Sequence, residues 1–265
     1  PRTRDVFRIK DEINLPKGKP NIDTILYYEM TPQNLQTRLL EDSVRITGDL
    51  HVFVLYVPVD EERRMEYLET ECSIDSLVSC SGCNEQMIPD ISFQPQCGTM
   101  EAKPDEDGEQ RILELELPVN ITMKFYEDVE LSILSDAYST ACELTLSRQP
   151  VHFERLLLKT QNVIRVSEQI KADENQDKIL QICTASGRVQ IDEQEIQENG
   201  IALEGVVELD ILYVTENDDR PLGSLRAAIP FQHFMEIKGI SPKDHYLLQT
   251  DINQISVIML DAAEI

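Results

Sequence analysis

The sequence is poor in the residues that most often build sugar-binding and cofactor-binding sites. Its 265 residues include no tryptophan, only ten glycines and 6% aromatic residues. Phosphate-cradling glycine loops, dinucleotide-binding fingerprints and the spacing of a Ser-His-Asp hydrolase do not occur in it. No apolar run is long enough to cross a membrane as a helix. We therefore expect neither an enzyme nor a cofactor-binding protein, and no membrane insertion.

Basic residues are also scarce. The chain carries 24 lysines and arginines against 49 aspartates and glutamates, which gives a formal net charge of −25 at pH 7. Such a charge repels phosphate backbones and anionic membrane surfaces, so nucleic-acid binding is not expected. The acidity either keeps the protein soluble or selects a basic partner.

Six cysteines are too few for a disulfide-dense secreted scaffold, and four of them cluster, at Cys72, Cys80, Cys83 and Cys97. The pair Cys80-Ser-Gly-Cys83 has the spacing of a zinc or redox site. Because a zinc ion needs four ligands, Cys72 and Cys97 would have to complete the set. The alternatives are a disulfide or a cross-link between chains through Cys80 and Cys83, and two turn residues without a chemical role.

The remaining candidate ligands are weaker. Asp105, Asp107 and Glu109 resemble calcium ligands, but an EF-hand loop has glycine at its sixth position, whereas Gly108 is the fourth residue from Asp105. A solvated hairpin turn explains this pattern better. The histidines stand singly in the sequence, at positions His51, His152, His233 and His245. Only His51 lies in an alternating strand, and it is expected to face solvent.

An internal repeat organises the chain. The segment Gly48–Val57 aligns with Gly205–Val214 at an offset of 157 residues, with identical Gly, Leu, Tyr and Val at equivalent positions. The same offset aligns Val6, Arg8 and Ile13 with Val163, Arg165 and Ile170. Between these blocks we predict a register slip of three residues, with Ile25-Leu26 matching Ile179-Leu180. We assign residues 1–146 to a first domain and residues 147–265 to a second.

The second domain is expected to lack its final strands. In the first copy the run Ile112–Tyr126 reads as one or two strands, and its counterpart on the same offset lies beyond Ile265. A copy without those strands exposes a sheet edge, which invites pairing with another segment. Either residues are missing from this chain or a partner supplies them.

Period-two patterns predict the fold class. Leu50, Val52, Val54 and Tyr56 alternate along one strand, and turn residues such as Pro104–Gly108 separate the extended runs. Two segments are ambiguous, Pro32–Leu40 and Asp128–Asp136, the latter read as a short helix or an irregular strand. Many short strands punctuated by turns favour an all-β protein with two tandem β-sandwich-like or open-barrel repeat domains, the second truncated.

Several runs resemble the SPOCS domain family of endospore-forming bacteria, whose members often carry tandem domains and in some cases a LysM module. The resemblance covers nearly the whole chain and is carried by Phe7–Ile13, Leu15–Ile22, Gly48–Tyr56, Cys80–Pro89, Lys103–Glu109, Ile179–Ile182, Gly205–Tyr213 and Pro221–Ser224. No LysM segment follows Ile265 in this sequence.

The resemblance implies a structural role in the spore coat or spore envelope, with synthesis in the mother-cell cytoplasm. The implied partners are spore coat morphogenetic proteins or copies of the chain itself in a homo-oligomer, and no catalytic residues are implied. The alternative functions are a carbohydrate- or peptidoglycan-binding module and a hydrolase on an unfamiliar β-scaffold. Scarce aromatic residues disfavour the former.

Overall fold

The computed structural model describes residues 2–59, 65–143, 145, 147, 149–151, 155–172, 177–217, 219–261 and 265. These residues form ten strands and no helix, so none of them lies in a helix that could span a membrane. The strands are β1 (Arg2–Asn14), β2 (Ile22–Leu40), β3 (Ser43–Pro58), β4 (Glu66–Ser79), β5 (Ile88–Pro95), β6 (Thr99–Pro104), β7 (Gln110–Tyr126), β8 (Ile179–Gln197), β9 (Gly200–Thr215) and β10 (Leu222–Glu236).

The first unit is a sandwich of two antiparallel sheets. One sheet has the order β2-β3-β4, and the other joins β1, β5 and β6 to β7. The strands alternate as their sequence predicts, since Leu50, Val52, Val54 and Tyr56 of β3 point into the core and are at most 1% exposed. Side chains from both sheets form one continuous apolar cluster. The prediction of an all-β repeat protein is confirmed.

Strand β7 holds the second sheet of the first unit together. It pairs along its whole length with β1 on one side, and with β5 and β6 placed end to end on the other. Its alternate residues from Leu113 to Phe125 are at most 5% exposed. None of β1, β5 and β6 is paired with another strand except β7. This sheet therefore depends on one strand for its hydrogen bonds.

The second unit repeats the first sheet of the first unit. Strands β8, β9 and β10 form an antiparallel sheet with the order β10-β9-β8. The offset of 157 residues carries the bounds of β2 and β3 onto those of β8 and β9. It also carries the end of β4 onto the end of β10, and β10 begins one residue earlier than the offset predicts. The pair Ile22 and Pro58 thus corresponds to the pair Ile179 and Thr215. The duplicated sheet is the same structure built twice.

The predicted slip of three residues is wrong. The register shifts in β2 between Ile22 and Thr24 and between Ile25 and Tyr27 recur in β8 on the constant offset. A β-bulge adds one residue to a strand relative to its partner, and because both copies have bulges at equivalent positions, the offset between the copies does not change. Matching apolar residues by type alone therefore suggested a gap where the chain has none.

The glycines shared by the two units stand where another backbone comes close. A Cβ atom on Gly48 would lie 2.8 Å from the carbonyl oxygen of Gln33, and one on Gly205 would meet that of Gln190, the equivalent residue. Both contacts adjoin the third bulge of the repeat. The identity at these positions thus reflects a steric requirement of the bulged strand pair.

The shared tyrosines also have a structural role. Tyr56 is fully buried, and its hydroxyl donates to the carbonyl oxygen of Pro20 at 3.2 Å, which ties the end of β3 to the connection between β1 and β2. Tyr213 occupies the matching position in β9 and is 2% exposed. Burial, followed by the charge of Asp177, raises the pKa of Tyr213. Superposition by strand position brings Tyr56 onto Tyr213, as the repeat predicts.

Two local expectations need correction, those for Asp128–Asp136 and for strand length, and two that were left open are resolved. The ambiguous segment Pro32–Leu40 lies inside β2, and Asp128–Asp136 is neither helix nor strand. The strands are also longer than expected, because β2 and β8 each have 19 residues. The run Ile112–Tyr126 is one strand, which begins at Gln110.

The second unit has no second sheet among the described residues. The positions equivalent to β1, β5 and β6 are 159–171, 245–252 and 256–261, and none of them forms a strand. Their apolar residues Val166, Ile170 and Val257 nevertheless pack against the core of the β8-β9-β10 sheet, as does Ile255 between the second and third segments. These segments lie on the expected face but lack the ladder that β7 provides in the first unit.

We predict that Gly48→Ala and Gly205→Ala each destabilise their own unit by about 2 kcal/mol, because the added methyl group forces the bulged strands apart. Urea unfolding followed by circular dichroism measures the change. Gly18→Ala is the matched control, since a Cβ atom there meets nothing within 4 Å. Equal effects of all three substitutions would contradict the steric explanation.

Candidate assembly surfaces

The Cys80-Ser-Gly-Cys83 segment is a tight turn that packs on the β2–β3 hairpin. The backbone amide of Cys80 donates to the carbonyl oxygen of Asp42 at 2.8 Å, and the amide of Asp42 donates to the carbonyl oxygen of Cys83 at 3.0 Å. Gly82, with φ of 84°, donates its amide to the Asp42 carboxylate at 2.6 Å. Both cysteine side chains are 2% exposed.

The second unit builds the same turn without cysteine. Its residues are Ile237 and Ile240 at the two cysteine positions and Gly239, with φ of 82°, at the glycine position. The Ile237 amide donates to the carbonyl oxygen of Asn199, the counterpart of Asp42. The turn therefore forms in the second unit without thiols, whereas in the first unit the Cys83 thiol donates weakly to the carbonyl oxygens of Leu40 and Ser43, both at 3.5 Å.

The other candidate zinc ligands are not gathered around this turn. Cys72 lies on β4 and Cys97 is exposed between β5 and β6. Burial, with a hydrogen bond to Asp11, raises the pKa of Cys72 to about 11. Within the described ranges no three His, Cys, Asp or Glu side chains are placed to hold a metal ion.

The thiols differ in their exposure and in their pKa, and therefore in how readily they can react with other molecules. Burial raises the pKa of Cys83, and the neighbouring Cys80 thiol raises it further. Cys80 and Cys83 can cross-link neighbouring chains only if their turn opens first. Cys97 and Cys142 are the exposed thiols.

We predict that Cys97 and Cys142 react first with a thiol reagent at pH 8, and that Cys183 reacts far more slowly. Burial raises the pKa of Cys183 from 9.0 to about 11, which leaves roughly a hundredfold less thiolate. Mass spectrometry after timed alkylation identifies the modified residues. A Cys97→Ser/Cys142→Ser variant should lose the fast phase, and early modification of Cys80 or Cys83 would show that the turn opens readily.

The acidic segment after β6 is a hairpin turn. The Asp105 carboxylate accepts hydrogen bonds from the amides of Asp107 and Glu109, both at 3.0 Å, and Gly108 has φ of 82°. The carboxylate thus satisfies the turn's own backbone donors, in agreement with the hairpin interpretation.

The two units meet through the outer faces of their repeated sheets. Phe53 and Leu55 point away from the first-unit core, yet they are 0% and 5% exposed because they pack on the second unit. They form one apolar cluster with Met65, Tyr67, Cys183, Leu212, Val214 and Leu222. Leu55 and Leu212 are equivalent residues of the repeat, so both units use the same face.

Polar contacts border this cluster. Gln181 donates its side-chain amide to the Tyr67 hydroxyl across the two units. Lys19 pairs with Glu66 at 2.8 Å and lies over the Tyr67 ring, 5.0 Å from its centre. Burial, followed by the nearby Cys183, raises the pKa of Tyr67. Of these contacts, the Gln181–Tyr67 hydrogen bond joins the two units, and the contacts of Lys19 lie within the first unit.

His51 lies at the same outer face. Its Nε2 is 2.8 Å from the Glu69 carboxylate and its side chain is 18% exposed, so it faces away from the core but is partly covered by the second unit. It lines a cleft of about 270 Å³ between the units. This volume is below that of ordinary small-molecule sites. His152 lies outside the described residues.

A continuous apolar run in the sequence signals this contact. Val52–Tyr56 contains five apolar residues in succession, the pattern of a strand that is buried on both faces. The alternating pattern accounts for the burial of only three of them, Val52, Val54 and Tyr56. Phe53 and Leu55 are the inter-unit contact residues that a pattern with only one buried face does not identify.

The repeated sheet, its bulges and the Cys80–Cys83 turn are also the part of the chain that a known family covers. The SipL, SPOCS domain family matches residues 21–96 and 178–260. The chain belongs to this family. Both matches begin at equivalent positions, since residue 178 follows residue 21 by the repeat offset. A search of curated proteins and a search of solved structures each found no significant match.

The SPOCS match indicates a sporulation-related protein, and it confirms the resemblance drawn from the sequence. It spans β2 to β5 in the first unit and β8 to β10 in the second. The matched regions therefore contain the inter-unit cluster as well as the turn. The assignment of whole domains to 1–146 and 147–265 stays a prediction.

We predict that Phe53→Ala lowers the free energy of unfolding by about 3 kcal/mol, because it leaves a cavity between the two SPOCS units. Amide exchange at residues 212–214 should also accelerate. Leu77→Ala is the matched control, since Leu77 is 65% exposed and its truncation should change stability by less than about 0.5 kcal/mol. Unchanged exchange in the second unit would contradict the interface.

Proposed function

We propose that this SPOCS protein is a structural and assembly component of the bacterial spore coat or envelope that acts through protein–protein contacts. The observation that carries this proposal is the family match over both repeat units. Synthesis in the mother-cell cytoplasm and deposition on the spore surface complete the proposal. The partners are spore coat morphogenetic proteins or further copies of the chain.

Exposed apolar side chains support a role in assembly. After β7 the chain presents Val129, Leu131, Ile133 and Leu134, which are between 63% and 87% exposed, and the ring of Tyr138 is 90% exposed. Soluble monomers rarely expose apolar groups in such a row, and larger apolar surfaces commonly mark sites of protein contact. A partner that covers this segment would bury them.

The acidic surface supports selection among partners. With a net charge of −25, the chain repels other acidic surfaces and attracts basic ones at low ionic strength. The exposed thiols of Cys97 and Cys142 offer covalent links once the surroundings become oxidising. Apolar contact thus supplies affinity, and charge restricts which proteins associate.

The alternative of a glycan-binding module has no particular observation in its favour. Among the described residues, the aromatic side chains that are at least 38% exposed are Tyr27, Tyr126, Tyr138 and Phe234, and the ring of Tyr27 packs against Phe53. Sugar binding to the purified protein would be measured by glycan pull-down.

Deletion of the gene in its endospore-forming host tests the proposed function. We expect thin-section electron microscopy to show coat layers that are thinner, detached or mislocalised, and a wild-type copy to restore them. A fluorescent fusion should form a ring at the developing spore. Unaltered envelopes together with a diffuse fusion would overturn the proposal.

A further inference from the structure

The thiols of Cys80 and Cys83 lie together inside their turn. The backbone amide of Cys83 donates to the carbonyl oxygen of Cys80 at 3.3 Å, and the Cys83 thiol hydrogen-bonds to the Cys80 thiol. A turn closed by such a backbone bond brings the Cα atoms of its first and fourth residues within about 7 Å. Disulfides join residues whose Cα atoms are about 4.4 to 6.8 Å apart. The turn therefore has the backbone spacing that a disulfide needs.

The same turn keeps other cysteines away. Both thiols are buried, whereas the two residues between them, Ser81 and Gly82, are exposed. A cysteine of another chain does not reach sulfur atoms buried in this way, but a peroxide is small enough to enter after a small displacement of the turn. The third buried cysteine, Cys183, lies in the inter-unit cluster. Cys80 and Cys83 are therefore the pair that the fold places together.

We propose that a peroxide oxidises Cys80 and Cys83 to a disulfide within the first unit, and that this bond locks their turn onto the β2–β3 hairpin. The turn already holds the hairpin through the backbone hydrogen bonds of Asp42 with both cysteines. The second unit has isoleucine at both positions, Ile237 and Ile240, so only the first unit is locked. This inference adds a redox-dependent element to the protein and does not rest on the proposed role in the spore coat.

The hydrogen bonds of Cys83 set the order of reaction. Its thiol donates to the carbonyl oxygens of Leu40 and Ser43, which holds the proton on sulfur, so Cys80 attacks first. The Cys80 thiolate attacks one oxygen of hydrogen peroxide, the O–O bond breaks, and a sulfenic acid and one water form. The Cys83 thiolate then attacks the sulfenic sulfur, the S–O bond breaks, and hydroxide leaves as a second water. Each sulfur loses one electron, the peroxide gains both, and the two thiol protons end in the two waters.

Oxidation of the Cys97→Ser/Cys142→Ser variant tests the pairing, because this variant lacks the two exposed thiols. After treatment with hydrogen peroxide at pH 8, the chain is unfolded in urea and its free thiols are alkylated. We expect Cys80 and Cys83 to escape alkylation, and mass spectrometry to find them joined in a peptide that is lighter by two hydrogen atoms until dithiothreitol reduces it. Any other product at these two residues, including a dimer linked through either of them, would overturn the proposal.

Single substitutions in the same variant test the order of reaction. With Cys83→Ser, whose hydroxyl can make the same hydrogen bonds to Leu40 and Ser43, we expect a sulfenic acid at Cys80 that dimedone traps. With Cys80→Ser, dimedone labelling of Cys83 should be about fivefold lower, because that thiol keeps its proton. Equal labelling in the two variants, or more at Cys83, would overturn the assignment of Cys80 as the first nucleophile.

Amide exchange tests whether the disulfide locks the turn. On oxidation we expect the amides of Asp42, Cys80 and Gly82, which hold the turn on the hairpin, to exchange roughly tenfold more slowly. The amides of Ile237 and Gly239 in the second unit are the internal control and should be unchanged, because their turn has no thiols. No slowing, or equal slowing in both units, would overturn the lock.

Discussion

The backbone hydrogen bonds of a whole sheet depend on strand β7. Three strands of the first unit pair only with it, and their own contacts with one another provide no ladder. Buried amide and carbonyl groups that lose their partners cost free energy, so a single strand decides whether such a sheet forms. In the second unit the apolar residues equivalent to the covering layer pack on the repeated sheet without forming strands among the described residues.

The duplicated part of the chain is the part that can form by itself. Each three-stranded sheet is built from consecutive strands joined by hairpins, so all its pairings are between neighbours in sequence. In the covering layer, β1 must instead find β7 about a hundred residues later. The family match covers all the hairpin-connected strands together with β5, and it excludes β1 and β7.

Much of this architecture can be predicted from the sequence, for reasons that are local. Gly48 and Gly205 identify the repeat because no side chain fits there, and Gly82 and Gly239 identify the turn because its backbone has positive φ. The register of β2 could not be predicted, because each bulge places an extra residue opposite the partner strand and so interrupts the alternation of buried side chains. The contact between the units was also missed, since alternation assigns one face to solvent and cannot show that a second unit covers it.

The two faces of the repeated sheet are covered differently in the two units. In the first unit the inner face is sealed by the β7 sheet and the outer face by the second unit, so Phe53 and Val54 on opposite faces are both fully buried. In the second unit the outer face is shared in the same contact, and among the described residues the inner layer is held by side-chain packing and by the backbone hydrogen bonds between Ile170 and Ile265. The repeated sheet of the first unit is thus buried on both faces, and its inner covering layer has a complete hydrogen-bond ladder on β7.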